Sequence, residues 1–122
     1  MTIGSIKECL EAHYYCGEEY QGDTLEYCYS CDLMSDVLAY VKNNVILLTG
    51  LVHPQVIRTA EMLDIRAIMI VRGKRPSEEI IEMAKEGGIV LMGTRHSLFT
   101  ASGILFGNGM RGEEITHDEN AL

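Results

Sequence analysis

Three short stretches of the chain concentrate residue types that hold anions: Thr49-Gly50-Leu51-Val52-His53, Arg72-Gly73-Lys74-Arg75 and Gly93-Thr94-Arg95-His96. They contain four of the ten basic residues and two of the four histidines. The chain around them is acidic, with a formal net charge of -8 and a sequence pI ≈ 4.9. Guanidinium and ammonium groups neutralise and hydrogen-bond phosphate or carboxylate oxygens. Each stretch also leads into a helical pattern whose first free N–H groups favour an anion. A small anionic metabolite or nucleotide is therefore the expected ligand, with Thr49, Gly50, His53, Arg72, Gly73, Lys74, Thr94 and Arg95 as its candidate contacts. Basic residues in short loops also serve merely to solvate them, so the chemistry depends on where the fold puts the three stretches.

The four cysteines, Cys9, Cys16, Cys28 and Cys31, all lie in the first quarter of the chain, with His13 among them. Cys28-Tyr29-Ser30-Cys31 has the C-x2-C spacing of zinc and thiol redox sites, with Cys9 or Cys16 available as further ligands. If the segment is a strand, however, residues three apart point to opposite faces and cannot share an ion. Plain packing is the competing reading, because cysteine is a common buried residue, and no cofactor is expected. Asp32, Ser35 and Asp36 suit the start of a helix, where short oxygen-bearing side chains satisfy free N–H groups; magnesium binding is the sharper alternative. The chain carries no G-x4-G-K-[ST] loop, no G-x-G-x-x-G, no H-E-x-x-H and no G-x-S-x-G elbow. Its histidines, at 13, 53, 96 and 117, are far apart in sequence. The expectation is a protein that is not an enzyme.

Three apolar runs must position the anion-binding stretches: Val45 to Leu48, Ala67 to Val71 and Ile89 to Met92. None alternates with polar residues, the pattern of strands buried on both faces of a parallel sheet. Between them Val56, Ile57, Ala60 and Leu63 share one helical face, and so do Ile80, Ile81 and Ala84. Parallel neighbours require such helical crossovers. In open α/β sheets ligands collect outside the carboxyl ends of the strands, which is where the three stretches fall. His53-Pro54 and Pro76-Ser77-Glu78-Glu79 read as helix starts.

Before this core, Thr2 can cap a helix with Ile3, Ile6 and Leu10 on one face. His13 to Cys16 and Leu25 to Ser30 read as two strands of a hairpin around Gly22, and Leu33 to Val41 as a helix ended by Lys42-Asn43-Asn44. Leu98 to Phe106 reads as a last helix, weakened by Gly103. The predicted fold is a three-layer, Rossmann-like α/β domain over residues 1–107, with a mixed sheet built from a parallel β-α-β core and an N-terminal β-hairpin. Residues 108–122 read as a flexible acidic tail.

With 122 residues, 47% hydrophobic and 23% charged, the chain can bury one core without disulfides or metal. Its acidity argues against a nucleic-acid partner. No apolar run reaches the length of a membrane helix, and Lys7 and Glu8 interrupt any signal-peptide core, so a cytoplasmic location is expected. All six tyrosines lie between Tyr14 and Tyr40. They suit a protein-binding surface or, equally, packing across a hairpin.

Asn44-Val-Ile-Leu-Leu-Thr-Gly, Val56-Ile-Arg-Thr-Ala and Ile70-Val-Arg-Gly-Lys-Arg-Pro-Ser-Glu-Glu closely resemble the DRTGG domain. Cys31-Asp-Leu-Met-Ser-Asp-Val-Leu-Ala resembles the segment preceding that core in small stand-alone members, and the likeness runs roughly from Ile3 to Phe106. The name-giving Asp-Arg pair falls at Val52-His53 and Thr-Gly-Gly at Val71-Arg72-Gly73, so only Gly73 is kept. The resemblance implies a regulatory accessory module of the kind that accompanies phosphotransacetylases, CBS-domain pyrophosphatases and relatives of cobyrinate synthases. It is also similar to the non-catalytic amino-terminal domain of HPr kinase/phosphorylase. It implies a homodimer and a ligand-sensing role; docking to a partner protein through the tyrosine-rich region is the alternative, and a cysteine-based metal or redox protein a further one.

Overall fold

Four consecutive apolar residues and a terminal threonine form β3 (Val45–Thr49), and four residues each form β4 (Ala67–Ile70) and β5 (Val90–Gly93); every residue in them is buried. The computed structural model describes residues 1–41 and 44–112. β3, β4 and β5 pair in parallel, in register from Ile46 against Ala67 to Ile70 against Gly93. Helix α3 (Pro54–Leu63) connects the first two and α4 (Glu78–Glu86) the next two. These are the two β-α-β units expected from the apolar runs.

Side chains alternate across the sheet and feed two cores. Val45, Leu47, Ile68, Ile70 and Leu91 meet α3, α4 and α2 (Met34–Tyr40) through Val37, Ile57, Ala60, Ile80 and Ala84. Ile46, Leu48, Met69, Val90 and Met92 meet α1 (Ile3–Cys9) and α5 (Leu98–Gly107) through Ile3, Ile6, Ala101 and Leu105. Each fully buried aliphatic side chain stabilises the domain by about 1.5–3 kcal/mol, and two helical layers around one sheet give the three-layer architecture.

The N-terminal hairpin is not formed. β1 (His13–Cys16) pairs antiparallel with β5, and β2 (Tyr27–Ser30) pairs parallel with β3, giving the order β1-β5-β4-β3-β2. The two strands sit on opposite edges, and the chain between them runs under the amino ends of the parallel strands. It is held there by backbone bonds from Ile3 to Asp23 and from Gly4 to Gln21, and by an Arg66–Asp23 ion pair of 2.8 Å. The tyrosines are dispersed accordingly: Tyr14 and Tyr15 lie on one edge strand, Tyr27 and Tyr29 on the other, Tyr20 in the connection between them and Tyr40 in a helix.

Helix starts follow the sequence in most cases. Thr2, His53, Ser77 and Ser97 each accept a hydrogen bond from a first-turn amide. The N-cap of α2 is Leu33, which gives no side-chain cap, so Asp32 and Ser35 do not have the capping role expected of them. The last described residues are also packed: Met110 is buried, and Arg111 bridges Tyr27 of β2. The expected tail therefore does not start at 108, and residues 113–122 lie outside the described part. No helix among the described residues is long and apolar enough to cross a membrane.

Candidate functional site

The connections fix where a crevice can open. β2, β3 and β4 all lead to helices on one face of the sheet, whereas β5 leads to α5 on the other. Beyond these loops the chains leaving β4 and β5 therefore turn to opposite faces of the sheet, which is the condition for a ligand crevice in an open α/β sheet. A cleft of about 360 Å³ lies there. One wall is Gly73, Lys74 and Arg75; the floor is Gly93, Thr94 and Arg95; the other wall is Glu11, His13 and Tyr15 from the approach to β1 and the strand itself.

The three carboxyl-end loops are laced together by backbone bonds. Val71 donates to Thr49 O at 3.1 Å, Arg72 to His96 O at 2.8 Å and Gly73 to Thr94 O at 2.9 Å. Arg72 and Gly73 both take the left-handed conformation, with φ of 62° and 66°. That pair of dihedrals turns the chain sharply out of β4 and is costly for any residue but glycine. It gives Gly73 a backbone reason to be glycine.

Four of the eight expected contacts, Gly73, Lys74, Thr94 and Arg95, line this cleft. The other four do not line it. Thr49 is buried; its hydroxyl donates to Asp32 Oδ1 at 3.0 Å and accepts from the Leu51 amide. The Gly50 amide donates to the same Asp32 oxygen at 2.7 Å, and Arg72 folds over Gly50. His53 is the cap of α3, its Nδ1 accepting from the Gln55 amide. Within the cleft Thr94 is structural as well, its hydroxyl donating to Leu10 O at 2.7 Å. Lys74 reaches back to Gly50 O at 2.9 Å. Arg75 and Arg95 make no hydrogen bond or ion pair among the described residues, although the protein is acidic. Such free cations suit an anion.

Glu11, His13 and Tyr15 were beyond the reach of sequence reasoning. Their positions two apart place them on one side of the chain, but only the pairing of β1 with β5 brings them to the cleft, and the predicted hairpin hid that pairing.

The cysteines do not converge. Cys28 packs with the α1/α5 core and Cys31 with the α2/α3/α4 core, on opposite faces of the sheet, so they cannot share an ion. Among the described residues no group of three or more His, Cys, Asp or Glu side chains could hold a metal. Burial pushes the thiols of Cys16 and Cys28 up from their ordinary range, opposite to what a thiolate ligand or nucleophile needs.

The family model described as the DRTGG domain matches residues 5–106. The chain belongs to the DRTGG domain family. No curated protein matches it. Among solved structures it is similar to the CBS and DRTGG domains of the regulatory region of Clostridium perfringens pyrophosphatase, crystallised with an activator, diadenosine tetraphosphate. The TM-score is 0.70 at 21% identity, over 99% of this chain and 52% of that one. This DRTGG chain thus spans about half of that regulatory region, and the likeness establishes the shared fold. At the positions read as Thr-Gly-Gly in the DRTGG motif, Val71 is buried at the end of β4 and Arg72 holds the first left-handed turn position.

Proposed function

We propose that this DRTGG chain is a non-catalytic sensing module that binds a small phosphate- or carboxylate-bearing metabolite in the cleft between the β4 loop and β1, over the end of β5, and works as a homodimer. The observation that carries the reading is the convergence of Lys74, Arg75 and Arg95 at the loops after β4 and β5, with two of the three cations unpaired in a protein of net charge -8. Family membership supports a regulatory role, and the similar pyrophosphatase region was crystallised with an activating nucleotide. Thermal denaturation against a panel of phosphate esters and carboxylates tests it. A compound that binds only the native state raises the midpoint, by about 2.7 kcal/mol of stability at a hundred times Kd. The shift is expected to vanish in an Arg75→Ser/Arg95→Ser double variant. A panel without any shift, or a shift indifferent to both arginines, rejects the site.

The dimer is assigned to α5. Its ten residues contain no charge and, apart from Thr100 and Ser102, no polar side chain, yet Phe99 is 88% and Phe106 60% exposed. Largely apolar helices are normally covered, and in an acidic chain a face without carboxylates, where the one nearby charge is the Arg111 guanidinium over the Phe106 ring, is where two copies meet with least repulsion.

A further inference from the structure

The wall of the cleft opposite the cations is aromatic, and it is built in an unusual way. β1 pairs His13 with Gly93 and Tyr14 with Met92, but then Cys16 with Leu91, so Tyr15 is the extra residue of a β-bulge. Bulges re-aim a side chain and recur beside binding sites. Here the Tyr15 ring is brought over the backbone of Gly93, where His13 meets it edge-on with centroids 4.6 Å apart. A Cβ at position 93 would stand 2.8 Å from Tyr15 Cε2 and 3.3 Å from His13 Cε1. Gly93 is thus the bare floor that lets both rings settle into the cleft.

Resting on the anion-binding reading above, we infer that the cleft takes a nucleoside phosphate, its phosphate held by Arg75, Arg95 and Lys74 and its base stacked in the Tyr15–His13 wall. Every base presents a π-face to an aromatic ring, and such stacking contributes a sequence-tolerant share of affinity. Glu11 stands on the aromatic side and, when ionised, only accepts hydrogen bonds. It suits sugar hydroxyls or base amines and repels a phosphate, which fixes the ligand's direction. The cleft volume of about 360 Å³ is within the range of small-molecule sites.

Calorimetric titration of the full chain with inorganic pyrophosphate, ribose 5-phosphate and the four ribonucleoside 5′-monophosphates separates the two readings. At least one nucleotide is expected to bind about ten- to a hundredfold tighter than ribose 5-phosphate, the increment of one stacked base. Tyr15→Leu, which keeps bulk and apolarity, is expected to reduce that nucleotide to the ribose 5-phosphate level while leaving ribose 5-phosphate itself unchanged. In the wild-type complex the base protons should move upfield in the NMR spectrum, a ring-current effect that a purely structural Tyr15 does not produce. If ribose 5-phosphate or pyrophosphate binds as tightly as every nucleotide, or if Tyr15→Leu keeps the preference, the base-stacking assignment fails and the anion site stands. If none of the six binds, the anion site fails and takes this assignment with it.

Discussion

Tyr14 carries a buried hydroxyl that finds no hydrogen-bond partner among the described residues. Its ring packs in the α1/α5 core opposite Met92, so the oxygen is desolvated without compensation. An unpaired buried hydroxyl costs about 1–3 kcal/mol. Tyr14→Phe keeps the ring and removes the penalty, so its stability should rise by about 1 kcal/mol. The melting point would then rise by about 3–5 °C, whereas a fall would mean that the hydroxyl is satisfied in solution. The same desolvation raises the pKa of the Tyr14 hydroxyl and of the Cys16 and Cys28 thiols. The unfolded chain then loses these protons first on going alkaline, so it binds fewer of them and stability falls as pH rises. The urea midpoint should hold below about pH 8.5, the ordinary thiol range, and decline above it; Cys16→Ala/Cys28→Ala should flatten part of that decline. A midpoint rising through this window would contradict the burial. At this scale the sequence identifies chemistry without saying who uses it: Thr49 reads as a ligand contact, but its hydroxyl is taken by Asp32 and Leu51.

Elements were legible where one run of residues decides the outcome. Strands β3, β4 and β5 and their helices follow from apolar periodicity, because each is buried by its immediate neighbours in the chain. β1 and β2 are short, half-buried and tyrosine-rich, and nothing local says which edge each will join. The polar stretch from Glu18 to Asp23 reads as a hairpin turn, yet the connection between the two strands spans the sheet because α1 and Arg66 supply partners along the way. Asp32 illustrates the same limit. It stands one residue before the α2 cap, but its carboxylate instead ties the end of β2 to the loop after β3, accepting from Thr49 Oγ1 and Gly50 N. Hydrogen bonds to a charged group contribute about 1.5–3 kcal/mol when protected. This carboxylate is partly exposed, so Asp32→Ala is expected to cost about 1–2 kcal/mol. Asp36→Ala, which loses only a favourable position in the first turn of α2, should cost about 0.5 kcal/mol. Equal losses in the two variants, measured by urea denaturation, would return Asp32 to a capping role.

For the whole molecule, the charge distribution and the apolar surface constrain assembly together. A net charge of -8 on a 13.6 kDa chain opposes self-association through most faces. The positive rim of the cleft is an exception, but two such rims repel each other. α5 is the remaining exception, a neutral helix offering Phe99 and Phe106 seven residues apart on one side. A pair of copies packed through this helix leaves both clefts free, since the cleft lies between the β4 loop, the β5 loop and β1, whereas α5 lies over β2 and β3. Ligand binding would then reach the partner through the short 95–97 connection that leads from the cleft floor into α5. Sedimentation equilibrium is expected to give twice the chain mass, and Phe99→Asp to give the monomer with the same melting curve at low concentration. An exposed substitution away from the core changes stability by about 0.5 kcal/mol at most. A wild-type chain that stays monomeric at high concentration, or a Phe99→Asp variant that remains dimeric, would place the contact elsewhere.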